Sequence, residues 1–276
     1  MASSQETAAG LANLKSLVRA ALLVFLAYAG ILGVAMARDQ LPNAPCAADF
    51  AEVMDGPRYP ALSDKIKGWE ALASHCKDTG IYEARLGGLY TNAGRYEEAR
   101  AVLKCGLALK SDYQQQLRLG LSDVDFRQGK IDESATESLA LIKDFPDWAG
   151  GYAGLGETRL VQHRFPEAIE NLERANAMEP SSGAYILLTM AYYGAGRPRE
   201  SAMAMQKALR LNRSALENTE AVCAAAYSLV LLGYLHEADD ILTKHLKVRP
   251  GAASDREYQE AVAAIKKRLA APSAAQ

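Results

Sequence analysis

The sequence predicts an all-α protein in which about five helix-turn-helix units stack into an α-solenoid. Three observations predict this fold class. Apolar residues make up 49% of the 276 residues but aromatic residues only 7%, a composition typical of close-packed helices. One pattern of small and apolar residues recurs along the chain, and the same small position falls at Ala99, Ser134, Ala168, Ser201 and Ala238, in steps of 35, 34, 33 and 37 residues. A glycine separates the two halves of most copies.

The charge balance excludes one class of partner. The chain carries 31 Lys and Arg residues against 33 Asp and Glu residues, for a formal net charge of -2. It therefore has no basic surplus with which to neutralise phosphates, and nucleic acid is not expected as a partner.

Residues 1–37 form a membrane-directed segment. The eighteen residues from 20 to 37 contain no charged side chain, and Lys15 and Arg19 precede them. A run of this length can span a bilayer as a single-pass membrane anchor with its N-terminus in the cytoplasm. The A-x-A sequence at 35–37 equally predicts a signal peptide cleaved after Ala37. Both alternatives place the rest of the chain outside the cytoplasm, which we interpret as the bacterial periplasm: soluble if cleaved, otherwise anchored in the inner membrane.

A linker over residues 38–60 contains four prolines and precedes the repeats. Cys46 and Cys76 flank part of this linker, and in an oxidising compartment they could form a disulfide; the alternative is that all four cysteines are small buried residues. Burial is the expectation for Cys105 and Cys223, which fall on helices of different repeats. No C-x-x-C pair and no histidine at ligand spacing is present, so we expect no metal site.

Solenoid ends need caps, because a terminal repeat otherwise exposes its stacking face. Residues 61–79 predict an N-terminal capping helix whose apolar stripe includes Trp69. Residues 253–271 predict a C-terminal capping helix, opened by a capping box that begins at Ser254. The tail 272–276 is expected to be disordered.

The stretch from Tyr152 to Pro180 carries the clearest copy of the repeat, YAGLGETRLVQHRFPEAIENLERANAMEP. Its Leu155-Gly156, Ala168 and Leu172 have the spacing of a tetratricopeptide repeat (TPR), a helix-turn-helix unit of about 34 residues. Residues 80–252 resemble this family. The resemblance implies a right-handed α-solenoid in which each small residue lies where the second helix of a unit crosses the first.

The resemblance also implies that the first helices of the units line a concave groove that binds a peptide or helix of a protein partner. At the corresponding positions the expected binding residues are mainly apolar, with two acidic residues that favour a partner carrying Lys or Arg beside its apolar anchor. They are Phe126, Leu160, Met190, Tyr193, Tyr227, Asp123 and Glu157. Family members that clamp a C-terminal carboxylate use Lys and Asn where this chain has Ala84 and Gly88, so that specificity is not expected.

No constellation predicts catalysis. None of the four histidines lies at i,i+4 from another or beside a plausible Ser or Cys nucleophile, and we expect no catalytic, cofactor-binding or metal-binding residue. The sequence therefore favours a non-enzymatic scaffold that binds a protein of a cell-envelope assembly. The alternative is an accessory subunit of an envelope enzyme, or a cryptic enzyme, in which the solenoid positions the substrate.

Overall fold

The computed structural model describes residues 61–75 and 80–270. In this part of the chain all regular structure is helical. The α-helices are α1 Leu62–His75, α2 Ile81–Asn92, α3 Tyr96–Ala108, α4 Gln114–Arg127, α5 Ile131–Asp144, α6 Ala149–Val161, α7 Phe165–Met178, α8 Ser182–Gly194, α9 Pro198–Leu211, α10 Thr219–Leu231, α11 Leu235–Val248 and α12 Arg256–Ala270. Short 3₁₀ helices at Arg213–Glu217 and Pro250–Ser254 precede α10 and α12.

Several sequence predictions lie outside the described residues and stay predictions. They are the signal peptide or anchor at 1–37, the linker at 38–60, the Cys46–Cys76 disulfide and the tail at 272–276. Within the described ranges, no helix has both the length and the apolar character needed to cross a membrane.

Helices α2 to α11 follow one another as five helix-turn-helix pairs, as the sequence predicts, so the predicted all-α fold class is confirmed. Helix α1 packs on α2, and α12 packs on α10 and α11. The described residues divide into two compact units, residues 61–158 and residues 159–270, and the division falls inside α6 between Thr158 and Arg159.

Each pair turns through one residue with a positive φ. This residue is glycine in four pairs and His163, at φ 59°, in the fifth. In every turn the next backbone N–H donates to the carbonyl five residues earlier; Arg95 N, for example, lies 2.8 Å from Tyr90 O. This is the Schellman arrangement, and it satisfies a carbonyl at the end of the first helix. The glycines are Gly94, Gly129, Gly196 and Gly233.

The small residues predicted at the helix crossings are all buried, which confirms the repeat frame: Ala99, Ser134, Ala168, Ser201 and Ala238. The two serines also satisfy their hydroxyls across the crossing. Ser201 Oγ donates to the carbonyl of Thr189 at 2.9 Å, and Ser134 Oγ lies 2.9 Å from Ser122 Oγ. A serine can therefore replace alanine at this position without leaving a buried polar group unpaired.

The first unit packs tightly around Leu103, which has no exposed surface. A Cβ atom added to Gly87 of α2 would lie 2.5 Å from Leu103 Cδ2, and one added to Gly120 of α4 would lie 2.8 Å from the same atom. Leu103 of α3 is therefore held between two glycine-bearing helices. Glycine at these two positions lets α2 and α4 approach α3 closely.

The end helices pack on the neighbouring repeats, and the cap of the last helix differs from the sequence prediction. Trp69 of α1 is buried, and its ring centroid lies 6.1 Å from that of Tyr82. Helix α12 begins at Arg256, after a 3₁₀ helix that contains Ser254. The Ser254 hydroxyl donates to the carbonyl of Gly251 at 2.8 Å, so the predicted capping box from Ser254 does not form.

The expectation for the cysteines is half correct. Cys223 is buried in α10, as expected, but Cys105 is exposed on α3. The buried residues of α3 are Ala99, Leu103 and Gly106. Cys105 follows Leu103 by two residues, a rotation of about 200° around the helix axis, which turns its side chain away from the core.

Candidate protein-binding surfaces

The residues predicted to line the groove fall into the two units described above. Asp123, Phe126 and Glu157 belong to residues 61–158, whereas the remaining four belong to residues 159–270. The structure brings together two subsets of them, a tyrosine pair and a cluster of charged residues.

The tyrosine pair joins two consecutive first helices of the second unit. Tyr193 of α8 and Tyr227 of α10 stack with their ring centroids 6.0 Å apart and their planes inclined by 22°. Both residues are half-buried. Burial, together with the nearby Cys223 thiol, raises the pKa of Tyr193, so its phenol is neutral at physiological pH. The pair therefore presents an aromatic surface with hydroxyl groups that can exchange hydrogen bonds.

The other apolar residues of the predicted groove lie deeper. Phe126 and Leu160 are buried, and Met190 is only 1% exposed. Met190 belongs to α8, in which nearly every residue from Ser182 to Tyr192 is buried. A helix that is covered on almost all sides gives its side chains packing contacts, whichever face they occupy. In the free chain these three residues support the fold and present little surface to a partner.

The two acidic residues of the predicted groove are also buried. Asp123 of α4 is 4% exposed, and the Nε atom of Arg127, one turn later, donates to its carboxylate at 3.1 Å. Glu157 of α6 is 2% exposed, and its Oε1 atom has no hydrogen-bond partner among the described residues. Neither residue offers a free carboxylate at the surface of its unit.

Burial also changes the protonation of these two carboxyl groups. It raises the pKa of Asp123 to about 6, while the charge of Arg127 and its hydrogen bond act in the opposite direction. Burial, and secondarily the neighbouring Asp123, raises the pKa of Glu157 well above its ordinary value. The cluster thus holds one ion pair and one buried carboxyl group whose pKa is raised.

The role of Arg127 was not predicted from the sequence. The available signal was the four-residue spacing from Asp123, which places both side chains on one face of a helix. Among the residues that the structure describes, no group of three or more His, Cys, Asp or Glu side chains is placed to hold a metal ion.

His245 is buried, whereas His163 and His236 are exposed. Its Nδ1 atom lies 2.5 Å from the carbonyl oxygen of Leu216, and since a carbonyl only accepts, Nδ1 carries the proton. Burial lowers the pKa of His245, which keeps the ring neutral. Its contacts join α11 to the 3₁₀ helix before α10, a packing role.

Each unit also contains a cavity that sequence analysis did not predict. In the first unit a cavity of about 850 Å³ opens between α3, α4 and α5. Ion pairs line it: Arg100 with Asp125 at 2.8 Å, and Arg118 with Glu137 at 2.6 Å. In the second unit a cavity of about 310 Å³ occupies the equivalent place between α7, α8 and α9. Periodic apolar residues indicate the helices around such cavities but not the gaps that remain between them.

Solved structures similar to this chain share its fold. A thermophilic TPR protein of Thermus thermophilus, TTC0263, matches 69% of this chain and 99% of its own with a TM-score of 0.52 and 19% sequence identity. Yeast Tom70 matches 81% of this chain with a TM-score of 0.59 and 13% identity. The Cut9–Hcn1 hetero-tetramer of the APC/C matches 94% of it with a TM-score of 0.61 and 15% identity.

The chain spans about half the length of the last two proteins, 47% and 52% respectively. At these identities the likeness establishes a TPR-like fold. No protein-family model matches the chain, and no curated protein matches it in sequence.

Proposed function

We propose that this chain is a non-enzymatic protein–protein interaction scaffold of the cell envelope, whose first helices bind a peptide or helical segment of an envelope partner. The observation that carries the proposal is the tyrosine pair Tyr193–Tyr227. Its two rings come from consecutive first helices, stack on each other and remain partly accessible.

The chemistry of this pair suits protein recognition. Tyrosine combines a large apolar ring with a hydroxyl group and is enriched among the residues that contribute most to binding energy. Two stacked rings hold each other in place, so little side-chain entropy is lost when a partner binds. A segment with an apolar anchor could pack against the rings while its backbone bonds to the hydroxyl groups.

Site-specific photocrosslinking tests the proposed contact in the native cell. A photoreactive phenylalanine analogue replaces Tyr193 or Tyr227 in the full chain, and in a matched control it replaces Tyr234, which is 53% exposed at the turn before α11. We expect crosslinks to one protein from the two paired positions and none to that protein from position 234.

Alanine variants then test whether the contact contributes to affinity. The double variant Tyr193→Ala/Tyr227→Ala should lose co-purification of the crosslinked protein, whereas Tyr234→Ala should retain it. Circular dichroism melts of both variants separate lost binding from lost folding. Equal crosslinking from all three positions, or retained co-purification by a folded double variant, would contradict the proposal.

The envelope location has its own support and its own test. The uncharged run at 20–37 and its A-x-A sequence favour transfer of the following chain across a membrane. Protease added to spheroplasts should then digest the chain beyond residue 37. N-terminal sequencing should begin at Arg38 if the segment is cleaved and at the original N-terminus if it is an anchor. Full protection from the protease would contradict both versions.

A further inference from the structure

The cavity between α7, α8 and α9 lies entirely within the second unit, and neither Tyr193 nor Tyr227 lines it. Its volume of about 310 Å³ is at the lower end of the range for small-ligand sites, roughly 300 to 1,000 Å³, and suits one or two side chains rather than a helix. Leu188 forms part of its buried wall, and Met203, 56% exposed, stands at its rim.

The acidic groups of this cavity already have partners. Tyr192 donates its phenolic hydrogen to the carboxylate of Glu173. Arg197 donates to Glu200 at 2.9 Å, and its guanidinium lies 4.7 Å from the centroid of the Tyr192 ring. The Glu173 carboxylate is therefore bound by Tyr192 and the Glu200 carboxylate by Arg197, and the Tyr192 and Arg197 side chains contact each other.

The Lys207 ammonium and the Asn176 side-chain N–H of the cavity have no hydrogen-bond acceptor among the described residues. The Lys207 ammonium lies 5.3 Å from the ring centroid of Tyr185, and no carboxylate of the described residues forms an ion pair with it. Asn176 is 6% exposed; its side-chain oxygen accepts from the backbone N–H of Ser181 at 3.0 Å. Its Nδ2 atom is left with no acceptor among the described residues.

The Lys207 ammonium thus packs against the Tyr185 ring but has no anionic partner among the described residues, and it lies next to an apolar wall. A carboxylate is the matching group for an ammonium, because the two form a charge-assisted hydrogen bond.

We propose that this cavity binds an acidic side chain of a partner protein together with a neighbouring aromatic or aliphatic side chain. The carboxylate accepts from Lys207, and the apolar neighbour packs against Leu188, Tyr185 and Met203. This site is separate from the Tyr193–Tyr227 surface, and each can exist without the other.

Methyl NMR of the full chain labelled with [¹³C-methyl]methionine tests the site directly. The Met203 methyl group reports on the cavity, while Met190 and Met205, each 1% exposed, serve as internal references. Three probes are compared: the acetylated, amidated dipeptides Phe-Glu, Phe-Gln and Phe-Lys. They share the aromatic ring and differ in the charge of the second side chain.

We expect Phe-Glu to shift the Met203 signal saturably, with the reference signals unchanged. Phe-Gln should bind about tenfold more weakly, because it loses the charge-assisted hydrogen bond to Lys207. Lys207→Met should reduce the affinity for Phe-Glu to the level of Phe-Gln. The matched control Lys266→Met, at an exposed position of α12, should leave the affinity unchanged.

Each of four results would overturn the proposal: no saturable Met203 shift, equal binding of the three probes, preference for Phe-Lys, or unchanged affinity in folded Lys207→Met. None of these measurements involves Tyr193 or Tyr227, so failure here is distinguishable from failure of the proposed groove.

Discussion

Replacing Gly87 with alanine tests how closely α2 approaches α3. In an unobstructed helix this substitution would stabilise the chain by about 1 kcal/mol, because alanine is the better helix former. Here the new Cβ atom would lie 2.5 Å from both Cγ and Cδ2 of Leu103. Carbon atoms in good contact are about 3.5 to 4.0 Å apart, so the added methyl group requires a movement of roughly 1 Å.

Leu103 cannot easily supply that movement. It has no exposed surface, and Gly120 of α4 closes the other side. Overpacking a well-filled core costs about 1 to 3 kcal/mol, and a side chain confined on both sides should bring the cost to the upper part of this range. After subtraction of the helix-propensity gain, Gly87→Ala should destabilise the unit by about 1 to 2 kcal/mol.

A double-mutant cycle supplies the control. Leu103→Ala removes the obstructing atoms and alone should cost about 2 to 5 kcal/mol. In that background Gly87→Ala should become stabilising by about 1 kcal/mol, so the two changes should be coupled by about 2 to 3 kcal/mol. Urea denaturation, followed by the circular dichroism of the helices, gives the free energy of unfolding of all four proteins. The dependence of this free energy on urea concentration shows whether the same cooperative segment unfolds in each. If Gly87→Ala stabilises the wild-type chain, or if the two changes are additive, the argument for confinement of Leu103 is wrong.

Three further predictions follow from burial, charge and backbone conformation. Ala168→Leu should cost about 1 to 3 kcal/mol more than Ala263→Leu, because Ala168 is fully buried at a helix crossing and Ala263 is exposed on α12; equal thermal melting of the two variants would contradict the repeat frame. Glu157→Gln should reduce the loss of stability with rising pH, measured by urea denaturation across a pH series. Because the pKa of Glu157 is raised, the native state binds more protons than the unfolded state at pH values above the ordinary pKa of 4.5. The wild-type chain therefore loses stability as pH rises towards the native pKa. An unchanged pH profile in the variant would refute this origin. Gly196→Ala should destabilise by about 1 kcal/mol because its φ is 69°, whereas Gly251→Ala, with equally open space and no positive φ, should be near neutral; identical melts would argue against backbone strain.

The helical hairpins were predictable because their signals are local. A glycine such as Gly94 marks a turn that needs positive φ, and a small residue such as Ala168 marks a crossing that needs close approach. Both requirements act on the residue itself and recur once in each unit. The period of the pattern therefore indicated the order of helices and turns before any contact was known.

The candidate binding surface was predictable only in part. Spacing along α8 and α10 indicated Tyr193 and Tyr227, and the structure stacks them. The same reasoning selected Met190, which the structure buries, because the face of α8 that carries it is covered by side chains from other repeats. Helical periodicity specifies the face that a residue occupies but not what covers that face.

The sequence by itself determined the all-α class, the turn positions and the crossing residues, since these follow from backbone conformation and side-chain size at single positions. Only the tertiary structure decided which polar groups meet. It buried the Asp123–Arg127 pair beside Glu157, whose pKa burial raises, and it left Lys207 without a carboxylate at the edge of a cavity. The physical reason is that burial, and hence charge state and hydrogen-bond satisfaction, depends on atoms contributed by helices distant in the chain.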